Sequence, residues 1–201
     1  MSERLLVVAC GALAAEVAGV VRANGWEHVE VRHLPAELHA TPRRIAPALD
    51  QALAEAKGDH DRVFVAYADC GTTGAIDEVC ERRGAERLPG AHCFAMYAGL
   101  AEWDALQEEE PGTFYLTDFF VRNFDAFVAR PLGLDRRPDL IGDILGNYRR
   151  VVYLAQADDA ALRERAEECA AVLGLAFEHR PTGCGPLARP LTRFVQLARV
   201  A

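Results

Sequence analysis

The chain contains no uninterrupted apolar run of the ~20 residues that a membrane-spanning helix requires; its most apolar stretch, residues 5–21, is broken by Glu16. A secretion signal is equally undersupplied. It needs an apolar core of ~7–15 residues behind a positive flank, whereas only residues 5–9 precede Cys10 and Ser2-Glu3-Arg4 carries no net positive charge. We therefore expect a cytoplasmic protein with no membrane partner. Clustered positive charge is also missing: 22 Lys and Arg face 30 Asp and Glu, a net charge of −8, and the arginines fall singly or in pairs such as Arg43-Arg44 and Arg136-Arg137. Binding to a phosphate backbone rests on clustered Lys and Arg, so no nucleic-acid partner is expected.

Several chemical signatures are absent as well. No Gly-x-Gly-x-x-Gly follows the first hydrophobic run, where Cys10-Gly11-Ala12 stands instead, so a dinucleotide site is unsupported. There is no Walker loop and no His-Glu-x-x-His. The lack of any Cys-x-x-Cys disfavours zinc ribbons and thioredoxin-like redox motifs. Ile76 occupies the position six after Cys70 where a cysteine-phosphatase loop carries arginine.

What is present is an alternation of strand-like and helix-like stretches in 201 residues, 51% of them hydrophobic. Buried strands are expected at residues 5–9, 63–68 and 151–155, with shorter or alternating candidates at 29–33, 93–97, 113–116 and 175–179. Helices are expected at residues 14–23, 74–83, 100–109, 159–173 and 191–200. A further helix begins near Thr41-Pro42 and carries Ile45, Leu49 and Leu53 on one face. Another, opened by Thr117 or Asp118, runs through Phe119, Phe120, Phe124 and Phe127, and residues 140–148 read as helical. Strands separated by helices imply parallel pairing through right-handed crossovers. The expected fold is thus α/β: a single Rossmann-like three-layer domain over residues 1–201 with a mainly parallel sheet and a candidate helical insertion at 99–140. Residues 7–33 and 152–179 each run strand, helix, Gly, strand, His, which suggests two pseudo-repeated halves.

The six cysteines carry the chemistry. In a reducing compartment, thiols are buried, metal-bound or catalytic rather than paired. Cys80 and Cys169 sit within expected helices and read as small buried hydrophobes. Cys10, Cys70 and Cys184 each precede a glycine and follow a strand-like run. In a parallel sheet the carboxyl ends of the strands open onto one edge, where ligands bind, so thiols distant in sequence could meet there. The sharpest local signal is Tyr67-Ala68-Asp69-Cys70-Gly71-Thr72-Thr73-Gly74, a strand end, a turn and a helix start. Free N–H groups at that helix start would lower a thiol pKa and attract an anion, making Gly71, Thr72 and Thr73 candidate substrate-binding residues. His39, in the loop Leu38-His39-Ala40-Thr41-Pro42, is a further candidate. His92-Cys93 follows a turn, and adjacent strand residues point to opposite faces, which leaves open whether both serve one site. The aromatics between Phe114 and Phe127 read as core.

Ala9-Cys10-Gly11-Ala12, Leu38-His39-Ala40-Thr41-Pro42, Asp69-Cys70-Gly71-Thr72, Gly90-Ala91-His92-Cys93, Gly112-Thr113-Phe114-Tyr115-Leu116-Thr117-Asp118 and residues 147–156 together resemble the family catalogued as domain of unknown function 1638. The family's cysteine motifs fall on Cys10, Cys70 and Cys93. An acidic residue expected soon after the His-Cys pair is replaced by Phe94-Ala95-Met96, and Cys184 is the least general of the motif cysteines. The resemblance implies an accessory role beside corrinoid-dependent methyltransferases, with a corrinoid protein or methyltransferase as partner.

Three functions follow. In the first, Cys10, Cys70 and Cys93 hold zinc or an iron–sulfur cluster, with His92 or His39 as fourth ligand. In the second, Cys70 and Cys184 act as acid and base without a cofactor, an arrangement similar to aspartate/glutamate racemases, although the asparagine usual after the first cysteine is Gly71 here. In the third, the chain binds a corrinoid protein without doing chemistry.

Overall fold

Leu5-Leu6-Val7-Val8-Ala9-Cys10 has no polar position in its register, and the strand it forms is buried along its whole length. Such strands belong to parallel sheets covered on both faces. A computed structural model describes residues 3–198 of the chain. Its elements in order are β1 (Leu5–Cys10), α1 (Ala14–Ala23), β2 (Val29–Leu34), α2 (Ile45–Glu55), β3 (Arg62–Ala66), α3 (Ala75–Arg83), β4 (Glu86–Arg87), α4 (Phe94–Ala98), α5 (Leu100–Glu109), β5 (Thr113–Thr117), α6 (Asp118–Arg122), α7 (Ile141–Ile144), β6 (Arg150–Ala155), α8 (Ala160–Leu173), β7 (Ala176–Pro181) and α9 (Gly185–Ala198). Short 3₁₀ turns cover Gly11–Leu13, Ala36–Ala40, Pro42–Arg44 and Pro138–Leu140. The chain divides into two units, one of residues 3–96 and 184–198, the other of Tyr97–Gly183.

The first unit holds a parallel sheet in the order β2-β1-β3-β4. Leu5 aligns with Val29 on one side and Arg62 on the other, and Ala9 aligns with His33 and Ala66. Because the chain leaves β1 first to one side and then, after β2, to the other, right-handed crossovers place α1 and α2 on opposite faces. Helix α9 packs with α1 and β3, and α3 packs with α2, so both faces are covered and three layers result. Pro47 lies in the first turn of α2, where its missing N–H costs nothing.

The second unit holds β5-β6-β7, again all parallel. Here the strands follow in sequential order, both crossovers fall on one face, and α6 and α8 pack together. Trp103 of α5 rests on Tyr115 of β5, with ring centroids 4.6 Å apart. Asp159 caps α8 by accepting from the N–H groups of Ala161 and Leu162 at 3.0 and 3.2 Å. Gly174 ends the helix at φ 69°, a left-handed position where a side chain would be strained.

The α/β class and the parallel pairing are those expected, but the strands are shared between two sheets. The two look-alike stretches are both βαβ units, β1–α1–β2 in one sheet and β6–α8–β7 in the other. The strand expected at residues 93–97 is a correction: Phe94–Ala98 is helical, opened by Ala95 and Met96 donating to the carbonyls of His92 and Cys93. A five-residue apolar run has no periodicity that tells helix from strand. The helix through the phenylalanines stops at Arg122 and resumes as a π turn at Asp125–Ala129. Residues 140–148 are helical only to Ile144. The closing helix starts at Gly185 rather than 191 and carries Pro190 within it; residues 199–200 of the expected helix lie outside the described residues. Among the described residues, no helix is long and apolar enough to cross a membrane.

Candidate functional site

The carboxyl edge of the first unit's sheet gathers the motif cysteines. Cys10 ends β1 in register with Leu34 of β2. Gly11 follows in a passage only glycine can make: a Cβ there would stand 2.6 Å from the Ala36 amide nitrogen and 2.8 Å from the Leu34 carbonyl oxygen. That approach sets the Ala36–Ala40 turn, which bears His39, against the end of β1. One step beyond the Ala9–Ala66 pair, Tyr67 lies beside Cys10 on the same face of the sheet.

After Ala68 the chain turns sharply. Cys70 and Thr73 adopt left-handed backbone angles, φ 50° and 52°, which non-glycine residues keep only where their surroundings enforce it. Two sets of bonds do so. The N–H groups of Asp69 and Cys70 donate to the carbonyls of Gly90 and Ala91 at 3.0 and 2.8 Å. The Asp69 carboxylate accepts from the Thr72 hydroxyl at 2.9 Å, the Thr73 N–H at 3.1 Å and the Gly74 N–H at 2.8 Å. Burial pushes this carboxyl up, but those donors and Arg87 outweigh it and hold it below the usual range. The amides at the start of α3, read from the sequence as an anion cradle formed with Gly71, Thr72 and Thr73, are thus engaged by the chain's own Asp69.

The pairing of residues 69–70 with 90–91 carries Cys93 to Cys70. Their sulfurs stand 3.0 Å apart. Contact with Cys93 holds the Cys70 thiol below its ordinary value against the effect of burial, helped by the N–H groups of Cys93 and Ala68. Cys93 is pushed well above its ordinary value by Cys70 and by burial. The contact therefore favours ionisation of Cys70 over that of Cys93. Burial raises Cys10 to about 11, and the neighbouring Cys70 adds to that, while the amides of Ala12 and Leu13 and the nearby Tyr67 hydroxyl offset part of it. His39 and His92 lie near each other on the solvent side: desolvation and then His92 lower the His39 pKa.

Cys10, Cys70, Cys93, His39 and His92 are thus gathered at one sheet edge, with Gly71 packed beside Pro42 of the adjoining turn. Cys184 immediately precedes α9, the helix that packs with α1 and β3. Phe194 of α9 stacks on Phe64 at 5.2 Å and lies under the Arg62 guanidinium at 5.0 Å, near the amino end of β3. Leu187 and Leu191 of the same helix are buried. Cys80 and Cys169 are buried in α3 and α8 and raised to about 11 by desolvation, as small hydrophobes would be. Sequence reasoning missed Tyr67 and Asp69; the available signal was a tyrosine closing an apolar strand directly before the motif.

Among the described residues, no group of three or more His, Cys, Asp or Glu side chains stands so as to hold a metal ion. A tetrahedral zinc with Zn–S bonds of ~2.3 Å separates two sulfurs by about 3.8 Å, and a disulfide by about 2 Å. The observed 3.0 Å lies between the two. The thiol pair is of a chemistry that a thiophilic metal takes, and opening it by less than about 1 Å is within reach of side-chain rotation.

Residues 33–191, about four-fifths of the chain, match the family described as "Protein of unknown function (DUF1638)". That span includes Cys70, Cys93, Cys184 and both rim histidines and leaves Cys10 outside it. None of the curated proteins and none of the solved structures matches the chain.

Proposed function

The chain belongs to the DUF1638 family, and we propose that its motif thiols serve as a metal centre, with Cys10, Cys70 and Cys93 holding zinc or an iron–sulfur cluster and His92 or His39 completing it. The observation that carries this reading is the 3.0 Å contact of Cys70 with Cys93 at the sheet edge where β1 also ends in Cys10. Cys70 would supply a thiolate, favoured by its contact with Cys93 and by two backbone N–H groups. Cys93 would lose its proton to solvent on binding a cation. Cys10, buried at the end of β1, would supply the third thiolate. A thiolate-bound zinc lowers the pKa of a thiol or water at its open position, which is the chemistry a methyl acceptor requires. The accessory role in corrinoid-dependent methyl transfer rests on the family resemblance. Its expected consequence is that immobilised protein retains a corrinoid protein or methyltransferase, and that the joint Cys10→Ser, Cys70→Ser, Cys93→Ser variant retains less. Equal retention would instead favour a binding module that works without the thiols.

The same 3.0 Å contact favours a second reading, a dithiol that reacts with a low-molecular-weight disulfide. Cys70 would attack one sulfur and release one thiolate. Cys93 would then displace the second, leaving a Cys70–Cys93 disulfide and two reduced thiols. One experiment separates the readings. Protein purified anaerobically without a tag is assayed for zinc and iron, and its visible spectrum is recorded. Stoichiometric metal supports the centre. Metal-free protein that loses the mass of two hydrogens on exposure to oxidised glutathione overturns it in favour of the dithiol.

A further inference from the structure

The amino edge of the first unit's sheet, opposite the thiols, holds a cavity of about 260 Å³, just below the ~300–1,000 Å³ of small-molecule sites. It lies where helices end and strands begin. Its lining runs from the last turn of α2 through His60 and Asp61 to Arg62 at the start of β3, and returns at Arg82 and Arg83, where α3 stops. Four cations, Lys57, Arg62, Arg82 and Arg83, line it against one carboxylate, Asp61. This is a concentration of positive charge in a chain whose net charge is −8 and whose only lysine is Lys57. Neighbouring groups take up part of it. Asp50 accepts from Arg83 Nε and Nη2 at 2.8 and 2.9 Å and from Arg82 Nη2 at 2.9 Å. Glu86 accepts from Arg62, and the carbonyl ends of α2 and α3 favour cations nearby. Two groups are left over. Lys57 is exposed and makes no ion pair among the described residues. The His60 side chain is 5% exposed. Its Nε2 donates to the Glu30 carboxylate at 2.9 Å, while its buried Nδ1 has no hydrogen-bond partner among the described residues.

We propose that this cavity binds a small phosphate-class oxyanion, held by Lys57 and by the arginine N–H groups that Asp50 and Glu86 leave open, and paired with His60 Nδ1. A buried polar atom without a partner costs free energy that a bound partner recovers. A bare Nδ1 accepts a hydrogen bond, and a protonated one donates. Near neutral pH inorganic phosphate carries both an O–H and anionic oxygens, so it meets either form of the ring while its charge meets the cations. The phosphate group of a small monoester has the same chemistry. The site does not use the thiols at the other edge, and its failure would leave the reading of those thiols untouched.

The test titrates the full chain with inorganic phosphate, and separately with glycerol 3-phosphate, and reads affinity by calorimetry. Because Lys57 is the only lysine, protein labelled with carbon-13 in its lysine side chain gives one lysine signal, and displacement of that signal during the titration locates the ligand. We expect saturable binding that displaces it. Lys57→Gln and His60→Phe should each weaken binding about 10–100-fold, as loss of a hydrogen bond to a charged group does. Arg136→Gln removes the same charge from an exposed side chain of the second unit and should bind like wild type. Tighter binding of glycerol 3-phosphate assigns the cavity to a monoester, and tighter binding of phosphate assigns it to the free ion. The proposal is overturned if neither ion binds, if binding leaves the lysine signal in place, or if Arg136→Gln weakens binding equally. Wild-type affinity in either cavity variant overturns it as well. Lys57 is exposed and unpaired, so its variant keeps the test open should His60→Phe not fold.

Discussion

Cys93→Ser and Cys70→Ser are each expected to lose stoichiometric metal after anaerobic purification, while Cys80→Ser and Cys169→Ser retain it. A serine oxygen is a hard, weakly acidic donor and does not replace a thiolate for a thiophilic metal. The two sulfurs stand 3.0 Å apart, so each substitution removes one proposed ligand and leaves its partner thiol without the sulfur it touches. The affinity loss should exceed the roughly 10–100-fold that follows from losing an outer-shell group. Cys80 and Cys169 lie in α3 and α8, and their serine variants should alter stability alone. Cys184→Ser should also keep the metal, because the proposed centre does not use that thiol. Metal retained in full by both Cys70→Ser and Cys93→Ser would place it elsewhere and remove the proposed centre. Loss of α-proton exchange in small carboxylic acids on Cys184→Ala would instead favour the acid–base pair.

The largest effect on stability is expected in the second unit. Asp118→Ala should destabilise it by roughly 3–5 kcal/mol, the cost of stranding several buried donors at about 1–3 kcal/mol each. Asp118 is 3% exposed. Its carboxylate accepts from the Tyr153 hydroxyl at 2.7 Å, the Gln156 N–H at 3.0 Å and the Ala157 N–H at 3.0 Å. Its own N–H donates to the Gln156 side-chain oxygen at 2.8 Å. These bonds join the end of β5 to the end of β6, and alanine supplies none of the side chain's acceptors. An asparagine side chain would keep one oxygen but turn an amide nitrogen toward a donor, so Asp118→Asn should fall between alanine and wild type. Trp103 stacks on Tyr115 within this unit. Its fluorescence in a Trp26→Phe background therefore follows the unfolding of this unit in urea. A loss below about 1 kcal/mol for Asp118→Ala would show that water replaces the carboxylate at these donors.

The structure also shows where short-range reading succeeds. Residues 100–109 are a helix at the boundaries expected, because Pro111-Gly112 ends the run and polar residues occupy its outer face. Asp159 and Gly174 bracket α8 as cap and stop. Residues 93–97 defeat the same reasoning, since five apolar residues specify burial but no period. The alternation around Cys10 and Cys70 was enough to bring both to the carboxyl edge of a parallel sheet. His92 and Cys93, read as neighbours on opposite faces of a strand, instead open a helix, and the carbonyls of both accept its first N–H bonds.

The sequence by itself determined the class of fold and the fate of the helical cysteines, because hydrophobic period, caps and turn residues act within a few positions of one another. It also determined that Cys10 and Cys70 would lie where strands end. Tertiary structure alone decided which thiols touch. The Cys70–Cys93 contact joins residues 23 apart through backbone bonds between two loops, at a left-handed angle that Cys70 adopts only because Asp69, Gly90 and Ala91 hold it there. It likewise decided that Asp69 would take up the amides read as an anion site, and that Tyr67 would be buried beside Cys10. These outcomes depend on which donor reaches which acceptor across the fold, and residue type and spacing carry no record of that.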